Sequence, residues 1–139
     1  MKTKFDMIAI FVDDILAMVD FYKNALGLEI DWNGEDPYAI FLHEGIHFSM
    51  SRREDLPGLL GQTPEFPLRL NGTFQLAINV GRPENVDITF KEVLSRGGRE
   101  IYPPRDEPWD MRSAMICDPE GNIIEIASSV PLPDTTTRP

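Results

Sequence analysis

The stretch Met7-Ile-Ala-Ile-Phe-Val12 returns in the second half of the chain as Phe74-Gln-Leu-Ala-Ile-Asn-Val80. Both stretches are rich in β-branched and aromatic residues, which predicts a strand in each case. Three apolar positions match at one constant offset, namely Ala9, Ile10 and Val12 against Ala77, Ile78 and Val80. Such an internal repeat predicts that the chain contains two copies of one structural module.

An amphipathic helix is predicted after the opening strand of each copy. In the first copy Asp13 or Asp14 can cap the helix and Gly27 can end it. In the second copy Pro83 stands just ahead of the helix and Gly97 ends it. The apolar faces of the two helices are Ile15, Val19, Tyr22 and Leu26, and Val86, Phe90, Val93 and Leu94.

Three further strands are predicted after each helix, so each copy has the order β-α-β-β-β. They are residues 28–32, 38–42 and 46–51 in the first copy, and 99–102, 113–117 and 122–127 in the second. The last two strands are joined by Asp118-Pro-Glu-Gly-Asn122, in which Pro favours the turn and Gly supplies a positive φ.

The predicted organisation is a single domain over residues 4–128. Module one spans about 5–51, a crossover spans 52–73, and module two spans 74–128. The crossover is either a binding loop or a plain linker. Residues 129–139 contain three prolines and no apolar periodicity, so we expect a flexible tail there.

Charge and composition exclude several classes of function. The chain has 139 residues and a net charge of -10, which argues against binding to nucleic acid or to an anionic membrane. Its longest apolar run is too short to span a bilayer, and no signal-type segment follows the first residues, so we expect a cytoplasmic protein. The single cysteine, Cys117, excludes an internal disulfide and a cysteine-based zinc site.

Alternation along the predicted strands gives each sheet two different faces. One face is aliphatic and is expected to pack against the helices: Ile8, Ile10, Val12, Ile46, Phe48, Met50, Leu76, Ile78, Val80, Ile124 and Ile126. The other face is mixed: Met7, Ala9, Phe11, His47, Ser49, Ser51, Gln75, Ala77, Asn79, Ile123, Glu125 and Ala127. Apolar area with sparse polar groups is typical of a ligand cavity, and a half-solvated antiparallel sheet is the alternative.

Glu125 is the strongest candidate for a functional residue. It lies between Ile124 and Ile126 in a predicted central strand, where an ionised carboxylate is costly to bury. We therefore expect it to be paired, bound to a metal, or raised in pKa, and to act as a general base or ligand anchor. The alternative is a hydrogen bond to Gln75 or Ser49 with no chemistry.

The chain resembles the vicinal oxygen chelate superfamily, which includes glyoxalase I, bleomycin-resistance proteins and extradiol dioxygenases. The resemblance rests on the opening strand, on Phe21-Tyr-Lys-Asn-Ala-Leu-Gly-Leu28, on Pro108-Trp109, and on Asp118-Pro-Glu-Gly-Asn-Ile-Ile-Glu125. It implies an α+β fold of paired βαβββ modules that form a curved, half-open mixed β-barrel with the helices packed outside. It also implies a small-molecule site and a homodimer.

Enzymes of this superfamily place metal ligands at four symmetric positions, which in this chain are Met7, Ser49, Gln75 and Glu125. Only Gln75 and Glu125 match the usual His, Glu or Gln. A thioether and a hydroxyl are poor ligands for a hard or borderline divalent ion, so we expect no metal. The alternative is one divalent metal held by Gln75, Glu125 and His47.

The resemblance also suggests residues that contact a ligand. Similar proteins carry a Pro-Trp-Gly-x-Arg segment where this chain has Pro108-Trp-Asp-Met-Arg112, with Asp110 in place of the glycine. Trp109 is expected to pack on the ligand and Arg112 to pair with an anionic group, and a structural role is the alternative for both. The predicted substrate-binding residues are Phe11, His47, Ser49, Gln75, Trp109 and Arg112, with Glu125 as the catalytic candidate.

The function expected from the sequence is small-molecule binding of the glyoxalase or bleomycin-resistance type, with the ligand in the concave sheet face and no metal. The first alternative is a divalent-metal lyase, isomerase or dioxygenase, similar to lactoylglutathione lyase, whose ligand set has drifted. The second is an accessory dimer without a ligand.

Overall fold

The computed structural model describes residues 1–133 and divides the chain into two compact units, Met1–Pro67 and a second that begins at Leu68. The predicted limits of the single domain stay a prediction. Of the predicted tail, 129–139, residues 134–139 lie outside the described residues. Its first part is bonded to the second unit, where the amides of Ser129 and Val130 both donate to the carbonyl of Gly81.

Each unit has the predicted order of elements. The first unit contains β1 (Met7–Val12), α1 (Ile15–Asp20) with a π-helical turn (Phe21–Ala25), β2 (Ile30–Asp31), β3 (Tyr38–Phe41), β4 (His47–Arg52), a 3-10 turn (Arg53–Asp55) and α2 (Leu56–Leu60). The second unit contains β5 (Asn71–Gly81), α3 (Pro83–Ser95), β6 (Arg99–Asp106), β7 (Arg112–Cys117) and β8 (Asn122–Ser128).

The two units have the same sheet topology. The strand orders are β1-β4-β3-β2 and β5-β8-β7-β6, and in each the opening strand pairs in parallel with the last while the other pairs are antiparallel. The predicted α+β class with paired βαβββ modules is therefore confirmed. Among residues 1–133, no helix has the length and apolar character needed to cross a lipid bilayer.

The helix of the first unit covers the aliphatic face of its sheet. Asp14 caps α1 through a 3.1 Å hydrogen bond from the amide of Ala17, and Gly27 follows the helix with a φ of 72°. Tyr22 is fully buried and meets Phe41 of β3 edge to face at 5.5 Å. The aliphatic residues Ile10, Val12 and Met50 are buried beneath, whereas Ile8, at the strand end, is exposed.

In the second unit α3 packs on β7 and β8. Val86, Phe90 and Val93 are buried against Ile124 and its aliphatic neighbours. The prediction that Leu94 shares this face is wrong, since 40% of its surface is exposed. The buried residues Val86, Phe90 and Val93 are spaced as i, i+4 and i+7, and Leu94, the next residue, points away from the sheet.

The turn between β7 and β8 is held by a buried carboxylate. Asp118 is completely buried and accepts hydrogen bonds from the amides of Glu120 and Asn122 and from the Asn122 side chain, at 2.8–3.0 Å. Gly121 has a φ of 92°, and a Cβ atom there would collide with the backbone of Arg69. The predicted turn is confirmed, and its geometry explains both the aspartate and the glycine.

Two strands are longer than the sequence predicts. β5 begins at Asn71 because that residue pairs with Asn122, with a 2.8 Å bond from its amide to the carbonyl of Gly121. β6 continues beyond Tyr102 through Pro103 and Pro104, since β6 is an edge strand, where missing amide donors are tolerated.

Candidate functional site

Glu125 lies in β8, the strand between β5 and β7, where Ala77 and Met115 are its partners on either side. Its side chain is half-buried. Among the described residues of the second unit no group donates a hydrogen bond to its carboxylate or forms an ion pair with it, so the alternative bond to Gln75 is not present. The carboxylate is therefore available to a group from outside the described chain.

The face that carries Glu125 is opposite to the face covered by α3. We call it the β8 face, and its residues are Gln75, Ala77, Asn79, Met115, Ile123, Glu125 and Ala127. The residues of β5 on this face are exposed and those of β7 and β8 are half-buried. Gln75 pairs with Ile123 and thus lies diagonally next to Glu125 on the neighbouring strand. The combination is apolar area with one unpartnered carboxylate and two side-chain amides.

A polar cluster continues the β8 face across β7 to β6. Ser113 donates to Glu107 at 2.7 Å and shares a 3.1 Å hydrogen bond with the hydroxyl of Tyr102. Arg105 donates through Nε to the same oxygen of Glu107 at 2.8 Å, and its guanidinium carbon lies 3.7 Å from the centre of the Tyr102 ring. We call these four residues the Arg105 cluster.

A β-bulge places Tyr102 and Arg105 on the same face. Tyr102 pairs with Met115 and Arg105 pairs with Ser113, so β6 advances three residues while β7 advances two. The extra residue falls at Pro103-Pro104 and reverses the alternation, because residues three apart in a regular strand lie on opposite faces. Since Met115 pairs with Glu125 as well, the cluster lies on the face of Glu125.

The cluster holds Glu107 in its ionised form. Hydrogen bonds from Arg105 and Ser113 lower the pKa of this buried carboxyl, and burial acts against them. In return, the hydrogen bond to Glu107 raises the pKa of the Arg105 guanidinium. The Arg105 cluster is therefore a fixed ion pair over an aromatic ring.

The first unit carries its own predicted site residues on the open side of its sheet. Ser49 donates a long hydrogen bond of 3.8 Å to the sulfur of Met7, which is 56% exposed. His47 is exposed and pairs with Met7 across β1 and β4. Phe11 is exposed on the same strand, and its carbonyl accepts a 3.1 Å bond from Arg53.

The four metal positions of the superfamily do not fit a hard divalent ion. In the first unit the thioether of Met7 and the hydroxyl of Ser49 are bonded to each other, and both are poor ligands for such an ion. In the second unit Gln75 and Glu125 offer one amide and one carboxylate oxygen. Within the described part of the chain, no three His, Cys, Asp or Glu side chains come together as a metal site would require.

The structure places Arg112 on the helix side of the second sheet. Its guanidinium forms two parallel hydrogen bonds with Asp87 of α3, at 2.7 and 2.9 Å, and a third with Asp106 at 2.8 Å. The pKa of Asp87 is lowered, chiefly by the hydrogen bond from Arg112. Arg112 therefore ties α3 to β7, as in the structural alternative, and its contact with a ligand stays a prediction.

Trp109 lies in the loop between β6 and β7 with 63% of its surface exposed. The next residue, Asp110, has a φ of 63°. The loop therefore keeps the left-handed backbone that a glycine would adopt there, because aspartate tolerates this conformation better than most residues do.

A family model matches residues 4–126 of the chain. It describes the Glyoxalase/Bleomycin resistance protein/Dioxygenase superfamily. The chain belongs to this superfamily. It is 31% identical over 122 residues to the uncharacterised protein YraH of Bacillus subtilis strain 168, which covers 86% of this chain and 93% of that protein. The resemblance seen in the sequence is thus confirmed.

Solved structures show the same fold. A glyoxalase-related enzyme from Fulvimarina pelagi matches with a TM-score of 0.78 and 21% identity, over 92% of this chain and 89% of its own. The fosfomycin resistance protein FosX from Listeria monocytogenes matches with a TM-score of 0.66 and 17% identity, over 94% of this chain and 96% of its own. At these identities the likeness shows the superfamily fold alone.

The predicted site residues are distributed over both units. Gln75 and Glu125 share a face on neighbouring strands, while Phe11, His47 and Ser49 lie in the first unit. The residues of the Arg105 cluster were not predicted. The signal for them is Pro103-Pro104, since two prolines in a run that otherwise reads as strand indicate an edge strand with a bulge.

Proposed function

We propose that this member of the superfamily binds a small molecule on the β8 face, without a metal, and that Glu125 anchors the ligand. The proposal rests on one observation, namely that a half-buried carboxylate in a central strand has no partner among residues 1–133. A half-buried carboxylate without a hydrogen-bond or ion-pair partner lowers the stability of the fold. A role in binding a ligand explains why such a residue is present.

The surroundings of Glu125 indicate the chemistry of the ligand. Ala77, Met115 and Ile123 offer apolar contact area, and Glu125 accepts hydrogen bonds or pairs with a cation. A small apolar or aromatic ligand with an amine or another strong donor fits this combination. Glu125 then acts as an anchor, and the proposal assigns it no proton transfer.

A divalent-metal lyase, isomerase or dioxygenase is the second candidate. The observation in its favour is that Gln75 and Glu125, the two family positions with suitable oxygen donors, lie diagonally on one face. Elemental analysis of untagged protein, purified without chelators and offered Ni, Zn, Co, Mn and Fe, decides between the two. About one metal per chain, lost in Glu125→Ala, would favour the second candidate over ours.

The proposal is tested by titrating benzylamine into the protein and into Glu125→Gln, with binding followed by NMR chemical shifts. Glu100→Gln is the control, because it removes one negative charge from an exposed position of the same unit. We expect benzylamine to shift the amides of Ala77 and Met115 in the native protein and in the control. Shifts that persist in Glu125→Gln would contradict the anchor role.

Homodimer formation and a cytoplasmic location remain predictions from the sequence. The second unit contributes every residue that the proposal uses. Sedimentation analysis of the native chain and of Glu125→Gln would show whether assembly depends on the β8 face. We expect the same oligomeric state for both, because a residue kept for a ligand has no role in assembly.

A further inference from the structure

Arg105 is fixed in place on the β8 face by two different interactions. Its Nε donates to Glu107 at 2.8 Å, and its guanidinium carbon lies 3.7 Å from the ring centre of Tyr102. The side chain is nevertheless 55% exposed, whereas that of Glu107 is 6% exposed. An arginine on the surface of a sheet normally moves among rotamers, and this one is held by a buried partner.

The hydrogen bond to Glu107 uses the Nε position, and the guanidinium also interacts with the side chain of Tyr102. The edge opposite Nε carries Nη1 and Nη2. Among the described residues no carboxylate other than Glu107 forms an ion pair with Arg105. Two parallel donors on that edge match the two oxygens of a carboxylate. The contrast with Arg112 is informative, since Asp87 and Asp106 occupy its donors.

Arg105 and Glu125 are close enough to hold two ends of one small molecule. The residues Tyr102, Met115 and Glu125 form a row across β6, β7 and β8, and the Arg105 guanidinium lies over the first of them. Two strand spacings amount to about 10 Å. Met115 lies between the two charged groups and offers an apolar contact to the middle of the ligand.

We propose that Arg105 is a carboxylate-binding residue, so that the ligand of the β8 face carries a carboxylate at one end and an amine or similar donor at the other. This inference rests on the proposed function, because it names the class of ligand for the same face. Glu107, Ser113 and Tyr102 are positioning residues that act through Arg105.

A carboxylate is favoured over a phosphate at this position. Glu107 compensates the positive charge of Arg105, and the chain as a whole carries a net charge of -10. A doubly charged anion therefore gains little from electrostatic attraction at this position. The choice of anion is therefore decided by the geometry of the two fixed N–H donors, which suits a planar group with two oxygens. The selectivity therefore depends on the arginine fork and is lost when lysine replaces it.

Three matched probes test the inference. 4-(Aminomethyl)benzoate has both groups, benzylamine lacks the carboxylate, and 4-methylbenzoate lacks the amine. We expect the first to bind about tenfold more tightly than benzylamine, as charge-assisted hydrogen bonds at a partly exposed site allow. In Arg105→Gln this difference disappears, and in Arg105→Lys most of it disappears, because the fork is gone. Arg99→Gln, an exposed position of β6, is the charge control.

The NMR signal of the Arg105 Nε–H group separates binding from a change in stability. We expect 4-methylbenzoate to shift this signal in the native protein and in Glu125→Gln, and 4-(aminomethyl)benzoate to shift it in the native protein. In Glu107→Gln the Nε–H signal moves before any ligand is added. The carboxylate advantage falls in that variant while benzylamine affinity stays, which a purely structural role of Glu107 would not produce.

The outcomes for the two proposals are distinguishable. If benzylamine binds through Glu125 but the carboxylate adds no affinity and leaves the Arg105 signal unmoved, the present inference fails and the proposed function stands. If benzylamine does not bind while 4-methylbenzoate shifts the Arg105 signal, the carboxylate site stands and the Glu125 anchor fails. If neither carboxylate probe shifts that signal in the native protein or in Glu125→Gln, the carboxylate site is overturned.

Discussion

Replacing Glu125 should leave the protein as stable as before or make it more stable. No described residue donates to its carboxylate, so the isosteric change Glu125→Gln removes no hydrogen bond from the described chain. We expect the free energy of unfolding to change by no more than about 0.5 kcal/mol, as for substitutions away from structural features. Glu125→Leu should add about 1 kcal/mol, because the side chain is half-buried between Ala77 and Met115.

Asp118→Asn is the matched comparison, because Asp118 is a carboxylate of the same unit with all its partners in place. It is completely buried and accepts three hydrogen bonds, one of them from the amide group of Asn122. In the variant the new side-chain amide at position 118 and the amide of Asn122 face each other as two donors, so this hydrogen bond cannot form. We expect a loss of about 2–3 kcal/mol, the usual cost of an unsatisfied buried polar group.

Urea unfolding at pH 7, followed by circular dichroism, measures these differences with one assay for all variants. The predicted order of stability is Glu125→Leu, then the native protein together with Glu125→Gln, and last Asp118→Asn. A loss above about 1.5 kcal/mol in Glu125→Gln would mean that the carboxylate contributes to folding at the level of a satisfied buried group. The argument that it is kept for a ligand would then be refuted.

Four other positions give definite expectations for the same urea assay. Gly121→Ala should cost at least about 2 kcal/mol, because it combines a φ of 92° with a collision with backbone, whereas Gly58→Ala, in a helix with open space around it, should gain about 0.5 kcal/mol. Asp110→Val should cost about 1–2 kcal/mol at a φ of 63°, and Asp110→Gly should not. Arg112 lowers the pKa of Asp87 from 3.8, its value in the unfolded chain. The stabilisation that the ionised Asp87 gives the fold is therefore complete above pH 3.8 and is lost as the pH falls through the lower pKa of the folded state. Between pH 5 and pH 2 the urea midpoint of Asp87→Asn should therefore fall less than that of the native protein.

The sequence is sufficient to predict the modules because local signals and the repeat agree. Gly27, Gly97 and the turn ending at Asn122 mark element ends through backbone conformations that few other residues adopt. The α+β class, the order of elements along each copy and the buried helix faces apart from Leu94 follow from such signals together with the apolar periodicity. The superfamily was recognisable from the same motifs.

The site is less predictable because it depends on pairing rather than on local pattern. Arg112 was expected near a ligand, and only the packing of α3 brings Asp87 within reach of it. Arg105 reaches the β8 face because a bulge at Pro103-Pro104 shifts the alternation by one residue. Whether Glu125 has a partner depends on all the side chains that surround it in the folded chain, and no local sequence pattern predicts this.

The central claim is that the β8 face binds a small molecule through Glu125. The most direct measurement is the NMR titration of benzylamine, which lacks the carboxylate, into the native protein and into Glu125→Gln. We predict that amide shifts cluster at Ala77, Met115 and their neighbours in the native protein and vanish in the variant. Shifts that are scattered over the chain, or that are equal in the two proteins, would contradict the claim.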